Sequence, residues 1–366
     1  MDEKLTCLYD SHVTLGARMS PFGGFLMPIQ YSSIPDEHNA VRTAAGMFDV
    51  SHMGEVAVSG PDALRFVNHI FTNDVSTLAE GGILYGMMLR EDGGTVDDLL
   101  VYREAGSESF FLVINASNID KDVAWIKACA EGFDVVIDNQ SEAWGEIAVQ
   151  GPEAEKAVTG VLGFECASAL TFYTFCNAAD GKGERVIISR TGYTGEDGFE
   201  IYASISATRE YWAKLLEAGV KPCGLGCRDT LRFEAGLPLY GDELSDEISP
   251  VMAGLGVFCK TEKTEFIGRE AIAAQKAEGT AYKLVGVEVL DRAIPRAGYD
   301  VETPEGEVIG RVTTGYRSPS LGRSLCFALV QSAYSKLGTA LQLRIHGKPY
   351  PAVVIKKRFY QTNYKK

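Results

Sequence analysis

The sequence predicts an α+β protein whose C-terminal part is a separate all-β domain. Three observations carry this. Up to about residue 275, segments alternating with period two are interleaved with amphipathic segments of helical period. A strand that runs into Gly-Pro and then a helix occurs twice, over 56–66 and 146–161. Beyond about 275 helical patterns disappear, and short strands alternate with turns such as Arg296-Ala297-Gly298 and Pro304-Glu305-Gly306. The expected division is an α+β region over 1–275 and a β domain over 280–366.

Each element has its local reason. The start, Cys7-Leu8-Tyr9-Asp10-Ser11-His12, leads into an extended segment, then a turn and a Pro-bounded apolar run over 25–31. Asp36 and Glu37 put acids in the first turn of a helix that Gly46 is expected to end. Alternation over 55–59 gives a strand, and Gly60-Pro61-Asp62 opens a helix bearing Leu64, Phe66, Val67 and Ile70. Two strand-like runs, 83–89 and 95–102, meet at Asp92-Gly93-Gly94, a hairpin signal in which both glycines accept positive φ. A strand over 110–115 and a helix over 120–130 follow. The second strand–Gly-Pro–helix unit precedes a strand over 185–190, a glycine-rich turn over 191–198, a strand over 199–203 and a helix over 207–217. The loop from Lys221 enters a helix that Gly236 should terminate.

Composition narrows the function classes. The 366 residues suffice for two or three domains. A formal net charge of -14 argues against a nucleic-acid partner, which needs a basic footprint. No apolar run is long enough for a membrane span. Met1-Asp2-Glu3-Lys4 lacks the features of a secretory or transit peptide, which points to the cytoplasm. The eight scattered cysteines are then expected as reduced thiols. No phosphate cradle, dinucleotide fingerprint or nucleophile elbow is present. The five histidines lack metal spacing, and Cys223 and Cys227 lack a matching pair, so no metal is expected.

Three places can carry chemistry. Alternation along 95–102 puts Asp98 on one face with Val96, Leu100 and Tyr102, and Asp97 on the other with Leu99 and Val101. A carboxylate on an apolar face is pushed toward its neutral form unless a donor or cation compensates. It can act on a proton or steady a cation, or it simply caps a turn or pairs with an arginine. The second place is the stretch from Arg190 to Glu200, where three glycines let backbone approach a ligand and Tyr193 offers a stacking face; an ordinary loop reads the same way. The third is Arg228, at a helix start and one turn from Arg232, where an anionic partner or bridges to Asp229 and Glu234 would settle the charges.

Together these motifs resemble the glycine cleavage T-protein family, essentially end to end. The stretches are Gly16-Ala17-Arg18-Met19, the run from Ala45 to Met53, Thr72-Asn73-Asp74, 93–101, 190–200, 223–235 with Leu239-Tyr240-Gly241, 267–271 and 318–322. Phe25 stands where the family usually has Trp, and Cys227 where it has Ala. The resemblance implies a three-domain, clover-like arrangement around a folate site, in which 1–275 holds two interleaved α+β domains and 280–366 a barrel or jelly-roll-like domain. It implies transfer of an aminomethyl-derived carbon from the dihydrolipoyl arm of H-protein to tetrahydrofolate, with ammonia released. By correspondence Asp98 is the catalytic carboxylate, and Glu200 hydrogen-bonds the pterin edge. Met53, Tyr85, Tyr102, Asn115, Tyr193 and Tyr364 line the pocket, while Arg228 meets a substrate anion or orders the lipoyl channel. An acidic H-protein would dock on a basic patch, for which Lys356-Lys357-Arg358 with Lys365 and Lys366 is the candidate, although such a run can equally be a solvated tail. The alternative is a folate-binding accessory protein of the iron–sulfur assembly or tRNA-modification type. Those relatives carry a cysteine motif, and 236–243 here reads Gly-Leu-Pro-Leu-Tyr-Gly-Asp-Glu without it. A demethylating flavoenzyme would need a preceding dinucleotide-binding domain.

Overall fold

The computed structural model describes residues 3–106 and 108–365. Met1 and Asp2 of the N-terminal motif and Lys366 of the basic tail lie outside the described residues. The chain divides into two compact units. One comprises the residues up to Gly86, Leu99–Leu231 and the closing residues from Thr362; the other comprises Met87–Asp98 and Arg232–Gln361.

The first unit is built on two sheets. A six-stranded sheet runs Phe175–Ala179, Arg185–Ser189, Gly198–Ser204, Trp144–Gln150, Gly46–Asp49, Lys221–Pro222. A five-stranded sheet runs Ile83–Leu89, Thr95–Arg103, Ser109–Ile114, Gly54–Ser59, Val136–Asn139, the tip of its first hairpin belonging to the second unit. Alternation sorts the six-stranded sheet. Ile147, Val149, Val186, Ile188, Phe199 and Ile201 point one way and pack with Tyr211, Trp212 and Leu215 of the helix Ile205–Glu217. Ile187 and Tyr202 point the other way and join Ile83, Tyr102, Phe111, Val113 and Phe175 in a core shared by both sheets. Burying each such side chain contributes about 1.5–3 kcal/mol.

In the second unit six strands between Tyr282 and Ile355 close into a barrel, in the order Tyr282–Val289, Ser324–Gln331, Val308–Arg317, Asp300–Glu302, Ala340–Ile345, Lys348–Ile355. Val287, Val301, Val312, Ala328, Leu343 and Val354 fill its interior, and closure leaves no unpaired edge. This is the expected α+β fold with a C-terminal β-barrel.

The hairpin at Asp92-Gly93-Gly94 forms, but only Gly93 has positive φ, at 86°. Gly94 is needed for a different reason: a Cβ there would lie 2.0 Å from the carbonyl oxygen of Asp246. Three other expectations are corrected. The lead-in coils into a helix over Tyr9–Thr14 before it reaches the expected extended segment, the strand Arg18–Phe22. Gly46 does not cap the preceding helix, which ends at Thr43; it opens the strand Gly46–Asp49, because pairing with 147–150 outweighs the local stop signal. Cys166 and Cys176 form a disulfide, since the short helix Glu165–Ala169 and the edge strand Phe175–Ala179 bring their Cα atoms to 6.7 Å. Among the described residues no helix is long and apolar enough to cross a membrane.

Candidate active site

The face shared by the two sheets should be apolar throughout, yet it carries acids and hydroxyls. Glu146 sits opposite Tyr202, and Glu200 opposite both Ala148 and Ser189. Glu55 sits opposite Val113, one of the shared-core residues. Glu55 and Glu146 are buried, and each has one carboxyl oxygen without a hydrogen-bond partner among the described residues. Burial pushes both well above the usual carboxylate range, and Glu200 and Glu55 add to the push on Glu146. Glu200 is only half-buried; burial raises it too, against the hydrogen bond from Thr191 and the nearby Arg228 charge.

Several residues singled out in the sequence come together here. Arg228 lays its guanidinium over the Tyr193 ring, 4.5 Å from the centroid, and its charge reaches Glu200, Glu146 and His52. Tyr102 is fully buried, with Met53 packed against the same core. Tyr85 follows Ile83 by two along its strand and so shares its inner face. Asn115 is half-buried just past the strand Ser109–Ile114. Tyr364 stacks on Phe172 at 4.2 Å, and Phe172 on Tyr173 at 4.2 Å. The neighbouring Asn363 donates its backbone N–H to Gly195 and its side chain to Glu196, so the tail is fixed to the turn that bears Tyr193.

Asp98 lies on a strand whose Leu100 pairs with Val113 and whose Tyr102 pairs with Phe111, which fixes the inner face. Alternation therefore gives Asp98 the inward phase expected from the sequence, and it is half-buried. Asp97 has the opposite phase, with Leu99 and Val101, and is 0% exposed.

Two local readings change. Two of the three glycines of 190–200 make room for an internal side chain: Cβ atoms on Gly192 and Gly198 would fall 1.9 and 2.4 Å from the Gln150 amide, which is hydrogen-bonded to Thr191 and Thr194. Arg232 and Glu234 each have other partners: Arg232 pairs with Glu243 at 2.8 Å, while Glu234 accepts from Ser318 and Ser320. Of the basic tail, Lys357 donates its ammonium to the Ala253 carbonyl and the exposed Lys365 pairs with Glu155 at 3.0 Å, while Lys356 and Arg358 are exposed.

His52 was not singled out by sequence. It is buried, with Phe22 and Phe25 edge-on to its ring at 5.6 and 6.3 Å and neither ring nitrogen hydrogen-bonded among the described residues. Burial, then the Arg228 charge, push it from 6.5 down to about 3, against the pull of Asp49. Below pH 6.5 the unfolded chain takes up a proton that the folded chain refuses until about pH 3, so stability is lost as pH falls across that window. His52→Asn is expected to flatten this acid limb, read from urea midpoints between about pH 7.5 and about pH 5. Superimposable acid limbs for the two proteins would remove the assignment.

Two family models match the chain: "GCVT N-terminal domain" over residues 8–263 and "Glycine cleavage T-protein C-terminal barrel domain" over 283–361. An aminomethyltransferase of Lysinibacillus sphaericus is 47% identical over 364 residues, covering 98% of each chain. One of Bacillus subtilis is 49% identical over 363 residues, covering 98% of this chain and 99% of its own. The crystal structure of glycine cleavage system aminomethyltransferase T from Bartonella henselae superposes with a TM-score of 0.93 at 33% identity, covering 99% of each chain. Both parts of the sequence, the full-length relatives and the fold agree, and the chain belongs to the glycine cleavage T-protein (aminomethyltransferase) family.

Proposed function

We infer that the chain transfers the aminomethyl-derived carbon from the dihydrolipoyl arm of H-protein to tetrahydrofolate, giving methylenetetrahydrofolate, ammonia and the dihydrolipoyl arm. The transferred carbon ends bonded to two folate nitrogens. Each nitrogen gives up one hydrogen; one goes to the departing ammonia and the other to the sulfur of the arm. The reaction balances without an oxidant or a metal, and the protein is left to position the reactants and manage charge.

Asp98 is the proposed catalytic residue. Its carboxylate steadies the transient iminium cation and tunes the attacking nitrogen without forming a covalent bond. Its inward strand phase and its place in the family stretch 93–101 support this. Glu200 accepts from the donor-rich pterin edge. Met53, Tyr85, Tyr102, Asn115, Tyr193 and Tyr364 line the pocket. Arg228 holds Tyr193 flat for stacking and favours the ionised form of Glu200. The observation that carries this reading is a half-buried acceptor beside a preformed cation–aromatic pair, on a sheet face that would otherwise be core. The partners are lipoylated H-protein and tetrahydrofolate, with Lys356 and Arg358 available to an acidic H-protein. We place the reaction in the cytoplasm, in keeping with the bacterial sources of the relatives.

The test is ammonia release from aminomethylated H-protein. Tetrahydrofolate is expected to accelerate release greatly and to yield one methylenetetrahydrofolate per ammonia. Release at the same rate without folate would favour the accessory reading instead.

A further inference from the structure

The last residues of the chain return to the turn that bears Tyr193, and one carboxylate joins the two. Glu196 and Asn363 are 167 residues apart in sequence and form a parallel β-bridge. Asn363 donates its backbone N–H to the Gly195 carbonyl at 2.8 Å and its side-chain amide to Glu196 Oε2 at 3.1 Å. The other carboxylate oxygen, Glu196 Oε1, accepts from Arg42 Nη1 at 2.9 Å. Arg42 lies on the helix Ile34–Thr43, and the same nitrogen donates to the Thr194 carbonyl at 2.7 Å. The Glu196 backbone N–H adds a bond to Thr194 Oγ1 at 3.2 Å. One guanidinium therefore holds both the backbone of the turn and the carboxylate that reaches the tail.

Tyr364 sits between two anchors of unequal strength. On one side Asn363 is bound to Gly195 and Glu196. On the other, Phe172 donates its backbone N–H to the Lys365 carbonyl at 3.1 Å, and the Lys365 ammonium reaches Glu155 at 3.0 Å and the Ser168 carbonyl at 3.2 Å. Lys365 is 43% and Glu155 35% exposed, and an ion pair so open to water contributes little. Glu196 and Arg42 are 3% and 6% exposed, so water and salt screen their attraction far less. A hydrogen bond to a charged group is about twice as strong as one between neutral groups. Of these polar anchors, the side-chain link from Asn363 to Glu196 is the strong one.

Resting on the folate reading above, we propose that Glu196 is a positioning residue for tetrahydrofolate: oriented by Arg42, it fastens Asn363 and so seats Tyr364 at the pocket wall, on the same support that carries Tyr193. Glu196 acts through Tyr364 rather than by touching a reactant. With the link broken, the tail divides its time between seated and lifted states, and folate affinity falls by the fraction of time it is seated. Bound folate reseats the tail, so turnover at saturation is kept.

The experiment measures the tetrahydrofolate Kd, and KM against kcat, for the wild type, Asn363→Asp, Tyr364→Leu, and Asn363→Asp combined with either Glu196→Gln or Tyr364→Leu. Release of C-terminal residues by a carboxypeptidase is followed on the folate-free proteins. Asn363 is exposed, so Asn363→Asp leaves the core intact while setting a second carboxylate against Glu196. It is expected to weaken folate binding by about tenfold, to leave kcat within about threefold and to speed release of the tail. Adding Glu196→Gln exchanges donor and acceptor across the same pair, and should bring both the Kd and the tail release back to within about threefold of the wild type. On the Tyr364→Leu background, Asn363→Asp should change the Kd by less than about twofold, because its effect runs through Tyr364. Wild-type folate affinity in Asn363→Asp, no recovery on adding Glu196→Gln, or a full tenfold loss on the Tyr364→Leu background would each overturn the proposal. A wild type that binds no tetrahydrofolate would instead overturn the folate reading, and the role of Glu196 with it; tail release, measured without folate, tells the two failures apart.

Discussion

Asp98→Asn is expected to lower turnover by about a hundred- to a thousandfold, the range seen when one preorganised electrostatic contact to a developing charge is removed. The substitution keeps shape and removes the charge. Tetrahydrofolate binding, which we propose rests on Glu200 and the lining aromatics, should stay largely intact, so kcat falls and the folate Kd does not. Asp97→Asn is the control. Asp97 has the opposite strand phase and is completely buried, so its substitution should appear chiefly as lost stability, about 1–3 kcal/mol, with a milder effect on turnover. Ammonia release and thermal unfolding measured on both variants separate the two effects. Near-normal turnover in Asp98→Asn would refute the catalytic assignment, and a larger turnover loss in Asp97→Asn would refute the strand phase behind it.

The largest effect on stability is expected at Glu243. This carboxylate is 0% exposed and accepts from Arg232 at 2.8 Å, Thr313 at 2.5 Å, Thr314 at 2.7 Å and the Leu239 backbone at 3.0 Å. Arg232 is itself only 1% exposed. Removing the acid takes away the nearer of the two carboxylates paired with the Arg232 guanidinium, Asp242 lying at 3.6 Å, and Glu243→Ala should destabilise the second unit by about 3–5 kcal/mol. The double substitution Arg232→Met, Glu243→Leu should recover much of that loss, since the desolvation penalty disappears with the charges. Urea unfolding of the single and double variants decides the matter: if the double variant is no better than Glu243→Ala, the penalty does not arise from the buried charge.

Much of this was legible in the sequence, for identifiable reasons. The hairpin at 92–94, the helix stop at Gly236, where φ is 80°, and the switch to short strands near 280 are local signals that tertiary contacts reinforce. Asp98 was picked over Asp97 by alternation alone, and the phase holds. The buried acids were not legible. A strand reading Glu146-Ile147-Ala148-Val149-Gln150 is the ordinary pattern of one wet and one dry face. Only the second sheet, assembled from distant segments, turns the apparently wet face into an interior and makes Glu146 and Glu55 unusual. That two of the three glycines of 190–200 leave space for Gln150 was not legible, because a sequence does not say which distant side chain takes that space. The Cys166–Cys176 pairing likewise depends on a helix and an edge strand meeting in space.

The division of the chain into units bears on its synthesis. The second unit takes in Met87–Asp98, made early, yet the bulk of its partners begin at Arg232. The first unit takes in the residues from Thr362, made after the barrel strands are complete. Neither unit is continuous in the order in which its residues leave the ribosome. Until Thr362 has emerged, the first unit lacks the Tyr364–Phe172 stack and the Asn363 contacts to Gly195 and Glu196. Contacts of such long sequence separation slow folding and prolong the life of open intermediates. The nascent chain must therefore carry the segment 87–98 without the bulk of its partners until the chain beyond Arg232 has emerged, and the tail contacts of the first unit are the last to form.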